Sequence, residues 1–137
     1  MAPPRSIFVN LPIENLKRSV DFTKLGFTFN GQFTSEDTTC MNISGDAFVM
    51  LLDRKRFADF TKKQIVDTKT HVECLIALSC NSREEVEQMV KIAVDNGGSA
   101  ARPSQDHGFM FAWSFLCPDG QTWELMWMNP DHVMPTC

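Results

Sequence analysis

One carboxylate sits where a carboxylate is not expected. Glu124 lies in the run Thr122-Trp123-Glu124-Leu125-Met126-Trp127-Met128. Alternation along a strand puts Thr122, Glu124, Met126 and Met128 on one side and Trp123, Leu125 and Trp127 on the other. Both faces are largely apolar, so Glu124 needs a partner or a chemical task, because an unpaired buried charge is costly. The run follows Cys117-Pro118-Asp119-Gly120, where Pro fixes φ for one turn position and Gly supplies the positive φ of the next. The other groups able to do chemistry are few. The cysteines are Cys40, Cys74, Cys80, Cys117 and Cys137, an odd number without a Cys-x-x-Cys spacing. They indicate neither a disulfide framework nor a thiolate zinc site, and read as reduced thiols. His107, in Asp106-His107-Gly108, reads as a surface or cavity-mouth residue, and His132 as a solvated tail residue.

A chain of 137 residues with 43% hydrophobic and 22% charged residues fits one globular domain with a real core. The formal charge of −4 gives no electrostatic case for nucleic acid or an anionic membrane. No run approaches the roughly 18 apolar residues of a membrane helix. Met1-Ala2-Pro3-Pro4-Arg5 runs straight into a strand and leaves no room for a signal peptide, so a cytoplasmic protein is expected. Eleven Phe, eight Met and no Tyr make soft, aromatic surface that suits either a ligand pocket or an ordinary core.

The elements that must position Glu124 come in two similar series. Ile7 to Pro12 reads as a strand ended by Pro12, Glu14 to Leu25 as a helix stopped by Gly26, and Phe27 to Phe33 as a strand. Thr38 to Ile43 and Ala47 to Leu52 follow as strands around a Gly45-Asp46 turn. Asp53 to Ile65 reads as a charged surface helix with Phe57, Phe60 and Gln64 near one face, covering an opening or merely connecting. His71 to Cys80 then reads as a strand. Ser82 opens a helix with a capping box to Glu85 and an apolar stripe of Val86, Met89, Val90, Ala93 and Val94, ended by Asn96-Gly97-Gly98. Ser99 to Arg102, Phe109 to Leu116 and Thr122 to Met128 complete the second series as strands. Each half reads β-α-β-β-β and is too small to bury both sheet faces alone.

The segments Asn10-Leu11-Pro12-Ile13-Glu14-Asn15-Leu16-Lys17-Arg18-Ser19, Leu25-Gly26-Phe27, Ile76-Ala77-Leu78-Ser79 and Pro118-Asp119-Gly120 with Trp123-Glu124-Leu125 follow one another in this order. In that order the chain resembles the vicinal oxygen chelate superfamily, which includes glyoxalase I, extradiol dioxygenases and bleomycin-resistance proteins. The resemblance implies an α+β fold, with two βαβββ modules whose mixed sheet curls into a cup around the ligand. It implies one glyoxalase-like domain over 1–137, with modules at about 7–53 and 71–129 and a connector helix at 54–65. It also implies a homodimer. Where the family binds a metal, the matching positions here are Phe8, Met50, Leu75 and Glu124. Only Glu124 suits a hard divalent cation, so no metal and no other cofactor is expected. His71 and Glu73, on the face of Leu75, would lie roughly 13 Å and 6–7 Å from that position, and a displaced site there stays open. The first helix is one residue shorter than the family's usual pattern. That rotates Leu25 off the stripe of Leu16 and Val20, removes an aromatic ring from beneath the sheet, and predicts a tightened last turn near Thr23 to Leu25.

On this register Glu124 faces a hollow lined by Phe8, Met50, Leu75, Met126 and Met128, where desolvation would raise a carboxyl pKa. Glu124 is then a candidate general base on an acidic C–H, with Asn10 orienting a carbonyl and Phe111 and Trp113 stacking on a flat ligand. Alternatively Glu124 pairs with Asn10, a water or an arginine and only holds the hollow together. Three functions remain open. The chain is a metal-independent lyase or isomerase of a small carbonyl compound, a non-catalytic binder of a small molecule, or a metal-dependent glyoxalase-like enzyme with unorthodox ligands.

Overall fold

The computed structural model describes residues 5–16 and 22–132. The chain forms two compact units, Met1–Val66 and Asp67–Cys137. The first holds strands β1 (Ile7–Ile13), β2 (Thr28–Phe29), β3 (Thr38–Ser44) and β4 (Ala47–Asp53), then the short helix α1 (Arg54–Ala58). Its sheet runs β1-β4-β3-β2, with β1 parallel to β4 and the other pairs antiparallel. The second holds β5 (Leu75–Ser79), helix α2 (Arg83–Asp95), β6 (Ser99–Ala100), β7 (Gln105–Asp106), β8 (Met110–Leu116) and β9 (Thr122–Met128). Its sheet runs β5-β9-β8-β6, with β7 also on β8 and β5 parallel to β9. Both units thus place their first strand parallel to their last, as a repeated βαβββ pattern requires. The α+β class read from the sequence is the one observed.

Parity decides what each sheet buries. In the first unit Leu11, Ile13, Met41, Val49 and Leu51 share one buried face, while Cys40 and Leu52 are buried on the other. In the second, Phe115, Trp123 and Leu125 lie at 0–1% exposure, as do Val86, Val90 and Ala93 of α2. The Phe115 and Trp123 rings stack at 6.3 Å, and burying rings and aliphatic chains of this size stabilises by about 1.5–3 kcal/mol each. The α2 stripe is as expected except for Val94, which is 43% exposed. Ser82 caps the helix, its hydroxyl accepting from the Glu85 N–H at 3.0 Å, while the Glu85 carboxylate accepts from the Asn81 N–H.

Several boundaries differ from the sequence reading, each for a local reason. Pro12 does not end β1, which continues to Ile13. The strand stands at one end of its sheet, where a missing N–H costs no ladder bond. The strand expected over Phe27 to Phe33 shortens to Thr28–Phe29, because the Asn30 side chain accepts from the Gln32 N–H and turns Gly31–Phe33 into a 3-10 segment. The helix expected to Ile65 ends at Ala58, where the Asp59 and Phe60 N–H groups tighten onto the Arg56 and Phe57 carbonyls. The strand expected from His71 begins only at Leu75. Its partner β9 starts at Thr122, opposite Leu75, so earlier residues have no ladder to join. His71 is instead drawn into a turn, its N–H bonded to the Asp67 carbonyl. Of the helix expected over Glu14 to Leu25, 17–21 lie outside the described residues. The stretch Phe22 to Gly26 is a turn with Leu25 N–H to Phe22 O and Gly26 N–H to Thr23 O bonds, the tightening that the missing residue predicts. Leu25 is nonetheless buried, and Phe22 supplies a buried ring against Phe27.

The turn before β9 is pinned from the start of the second unit. Gly120 has φ +95°, and the Thr68 hydroxyl donates to the Asp119 carbonyl. A Cβ at Gly120 would overlap the Thr68 carbonyl. Gly120→Ala is therefore expected to destabilise the chain by at least about 2 kcal/mol, read as a lowered midpoint in urea unfolding. Cys117, beside the same turn, has its thiol pushed up from 9.0 to about 12 by burial, against a lowering hydrogen bond from Trp123. The unfolded chain loses that proton near pH 9 while the folded chain keeps it. Stability is thus expected to fall as pH rises from 9 towards 12, and Cys117→Ala to flatten that part of the curve of unfolding free energy against pH.

Candidate functional site

The first unit carries a cavity of about 440 Å³. Its floor is the second face of the sheet, with Asn10 of β1, Thr38 of β3, and Met50 and Leu52 of β4, of which Thr38 and Leu52 are themselves buried. Its wall is Gln32 to Ser35 with Asp37, and its rim Arg56 and Phe60. Phe33 and Phe60 are 46% and 65% exposed, so both rings are open to a ligand. Asp37 supplies charge. Its Oδ1 accepts from the Ser35 hydroxyl at 2.9 Å and the Thr38 hydroxyl at 3.1 Å. These bonds, with Arg56 nearby, hold its carboxyl below the ordinary range. The Arg56 guanidinium bonds Asp59 at 3.2 Å and lies 5.0 Å over the Phe60 ring. Two residues singled out in the sequence, Asn10 and Met50, are therefore cavity residues. Phe8 is not among the lining residues; it stacks on Phe48 at 4.7 Å and meets Phe33 edge-on at 6.4 Å. The Asn10 amide donates to the Phe8 carbonyl at 3.2 Å.

The sequence reading missed Phe33, Asp37 and Arg56. A carboxylate between two hydroxyl residues, Ser35 and Thr38, is the signal that was available. Phe33 was hidden by its assignment to a strand, and Arg56 by its place among surface charges.

The second unit holds Glu124. Its side chain is 17% exposed, and its Oε2 accepts from the Arg102 guanidinium at 2.9 Å. Of the partners weighed for it, an arginine is the one observed. Arg102 is itself held, since the Trp113 indole N–H donates to the Arg102 carbonyl at 2.8 Å. On the Glu124 face the ladder aligns Ala77 and Ser114 with Glu124, Leu75 with Thr122, and Ala112 with Met126. Leu75 and Met126 are thus on the face expected of them. Phe111 and Trp113 are not, because Phe111 aligns with Trp127 and Trp113 with Leu125, on the opposite face. Odd and even positions of β8 were not separated in the sequence reading. Phe111 is 5% exposed, beneath the Arg83 guanidinium at 5.0 Å.

The four positions at which the resemblance implies a metal offer few donors, taken one by one. Phe8 and Leu75 carry no lone pair, Met50 offers a thioether, and Glu124 already holds a guanidinium whose charge opposes a cation. His71 and Glu73 lie outside β5 and are exposed, so the strand geometry of a displaced site does not apply to them. Among the described residues no group of three His, Cys, Asp or Glu side chains is placed to share an ion. His132 differs from expectation, its ring stacking on Phe109 at 4.0 Å.

No protein-family profile matches the chain, and no curated protein matches it. Solved structures do match. A hypothetical protein from S. aureus is 24% identical, with TM-score 0.74 over 91% of this chain and 94% of that one. A glyoxalase-related enzyme from Fulvimarina pelagi is 17% identical, with TM-score 0.74 over 90% and 87%. A glyoxalase/bleomycin resistance protein/dioxygenase from Nocardioides is 18% identical, with TM-score 0.70 over 100% and 91%. The fold is therefore the one shared by glyoxalase, bleomycin-resistance and dioxygenase proteins, that of the vicinal oxygen chelate superfamily. Among the described residues no helix is long and apolar enough to cross a membrane.

Titration calorimetry with Zn²⁺, Ni²⁺ and Mn²⁺ is expected to show no site tighter than about micromolar, since one arginine-paired carboxylate competes poorly with water. Stoichiometric binding that is lost in Glu124→Gln would contradict the donor analysis.

Proposed function

We propose that this chain binds a small organic molecule with a flat apolar part and a polar end, in the cavity of the first unit, without a divalent metal. The supporting observation is the cavity itself. Its two open rings, Phe33 and Phe60, suit an apolar body, and Asn10, Asp37 and Thr38 offer polar groups on the other side. A homodimer, which the resemblance implies, is part of this reading, and light scattering on the purified chain tests it.

A second reading has one observation in its favour. The Oε1 of Glu124 carries no hydrogen bond among the described residues, and the side chain sits on a face with Leu75 and Met126. As a general base it would take a proton from the carbon next to a substrate carbonyl, leaving the electron pair as an enolate. The product would be that of a metal-independent lyase or isomerase.

Ligand-observed NMR with phenyl- and naphthyl-bearing fragments separates the two. Binding is expected in the wild type, to be lost in Met50→Trp, which fills the cavity floor, and to persist in Glu124→Gln. Fragments that bind Met50→Trp undiminished would remove the cavity reading. Turnover of a 2-oxoaldehyde adduct, abolished in Glu124→Gln, would establish the second.

A further inference from the structure

The second unit carries a feature that neither reading uses. Ser114 is fully buried, and its hydroxyl has no hydrogen-bond partner among the described residues. A buried hydroxyl without a partner costs free energy. Ser114 stands directly across the ladder from Glu124, so their Cβ atoms are about 5 Å apart on one face. The Ala101 N–H bonds the Ser114 carbonyl at 3.2 Å, which brings the next residue, Arg102, to the same place. A cation, a carboxylate and an unused donor therefore meet at one point.

We propose that Arg102 recognises a small apolar carboxylate on this face, with Glu124 as the internal anion that the ligand displaces and Ser114 as the donor that receives Glu124 when it swings away. Among the described residues only Nη2 of Arg102 is engaged, and the side chain is 45% exposed, which leaves N–H donors for a ligand. The planar fork of a guanidinium matches a carboxylate in a bidentate manner. A half-exposed ion pair is weak enough for a ligand to replace. In the resting arrangement Glu124 uses Arg102 and leaves Ser114 unpaired. In the liganded arrangement both cation and hydroxyl are satisfied. The ligand's apolar part is set by its surroundings, where Leu75 is 57% and Met128 39% exposed and Ala77 and Met126 share the face.

The proposal rests on residues of the second unit alone, so a failure of the cavity reading does not touch it. The test is titration of the ¹⁵N-labelled full chain with benzoate, read at the Trp113 indole N–H, which reports the Arg102 carbonyl. Benzoate is expected to shift that signal saturably in the wild type. Arg102→Gln is expected to abolish the shift, as is Arg102→Lys, which keeps the charge without the fork. Glu124→Gln is expected to bind roughly fivefold more tightly, having lost the internal competitor. Ser114→Ala is expected to weaken binding when Glu124 is present and to change nothing in a Glu124→Ala background. Undiminished binding by both Arg102 variants would overturn the assignment, and so would Glu124→Gln binding no tighter than wild type. Equal weakening by Ser114→Ala in both backgrounds would overturn the role of Ser114. An equal response to inorganic phosphate would overturn the choice of an apolar carboxylate.

Discussion

The period of two along β9 is the constraint on which the second unit depends. Trp123 and Leu125 must enter the core against α2, and once they do, Glu124 has no choice but to stand on the opposite face. The antiparallel ladder passes that parity to β8, which sends Phe111, Trp113 and Phe115 to the helix side and Ala112 and Ser114 to the side of Glu124. The parallel pairing with β5 passes it on again, to Leu75 and Ala77. A slip of one residue would exchange the whole set, burying Glu124 and exposing Trp123. One register thus fixes the facing of side chains on three strands at once.

Within each unit the strands are tied through their backbones. Phe8 stacks on Phe48 and Glu124 pairs with Arg102, so each has a partner within its own unit. The two units differ in what they offer. The first has a concavity with aromatic edges, whereas the second presents a charged pair on an apolar surface.

Long periodic segments were legible in the sequence. The stripe of α2, its cap at Ser82, the turn at Gly120 and the strands of β8 and β9 all follow from local rules that tertiary contacts reinforce. A short polar competitor caused one misreading. Asn30 offers its side-chain oxygen to the Gln32 N–H, which ends a strand that the apolar pattern alone would extend. Glu124 was legible as an anomaly, and an arginine was among its candidate partners. That it would be Arg102 was not, because 22 residues and a sheet edge separate the two and nothing local links them. The cavity residues Asp37 and Arg56 were not singled out for the same reason. A side chain's neighbours across a fold leave no trace in its own segment.

The bond from the Thr68 hydroxyl to the Asp119 carbonyl joins residues 51 apart. It fastens the opening of the second unit to its final turn, with α2 and four strands enclosed between. A chain emerging from the ribosome cannot make this fastening until nearly all of that unit has been synthesised, so closure comes late in folding. A protease nick ahead of Thr68, for example after Lys62 or Lys63, would leave the clasp whole on its own fragment.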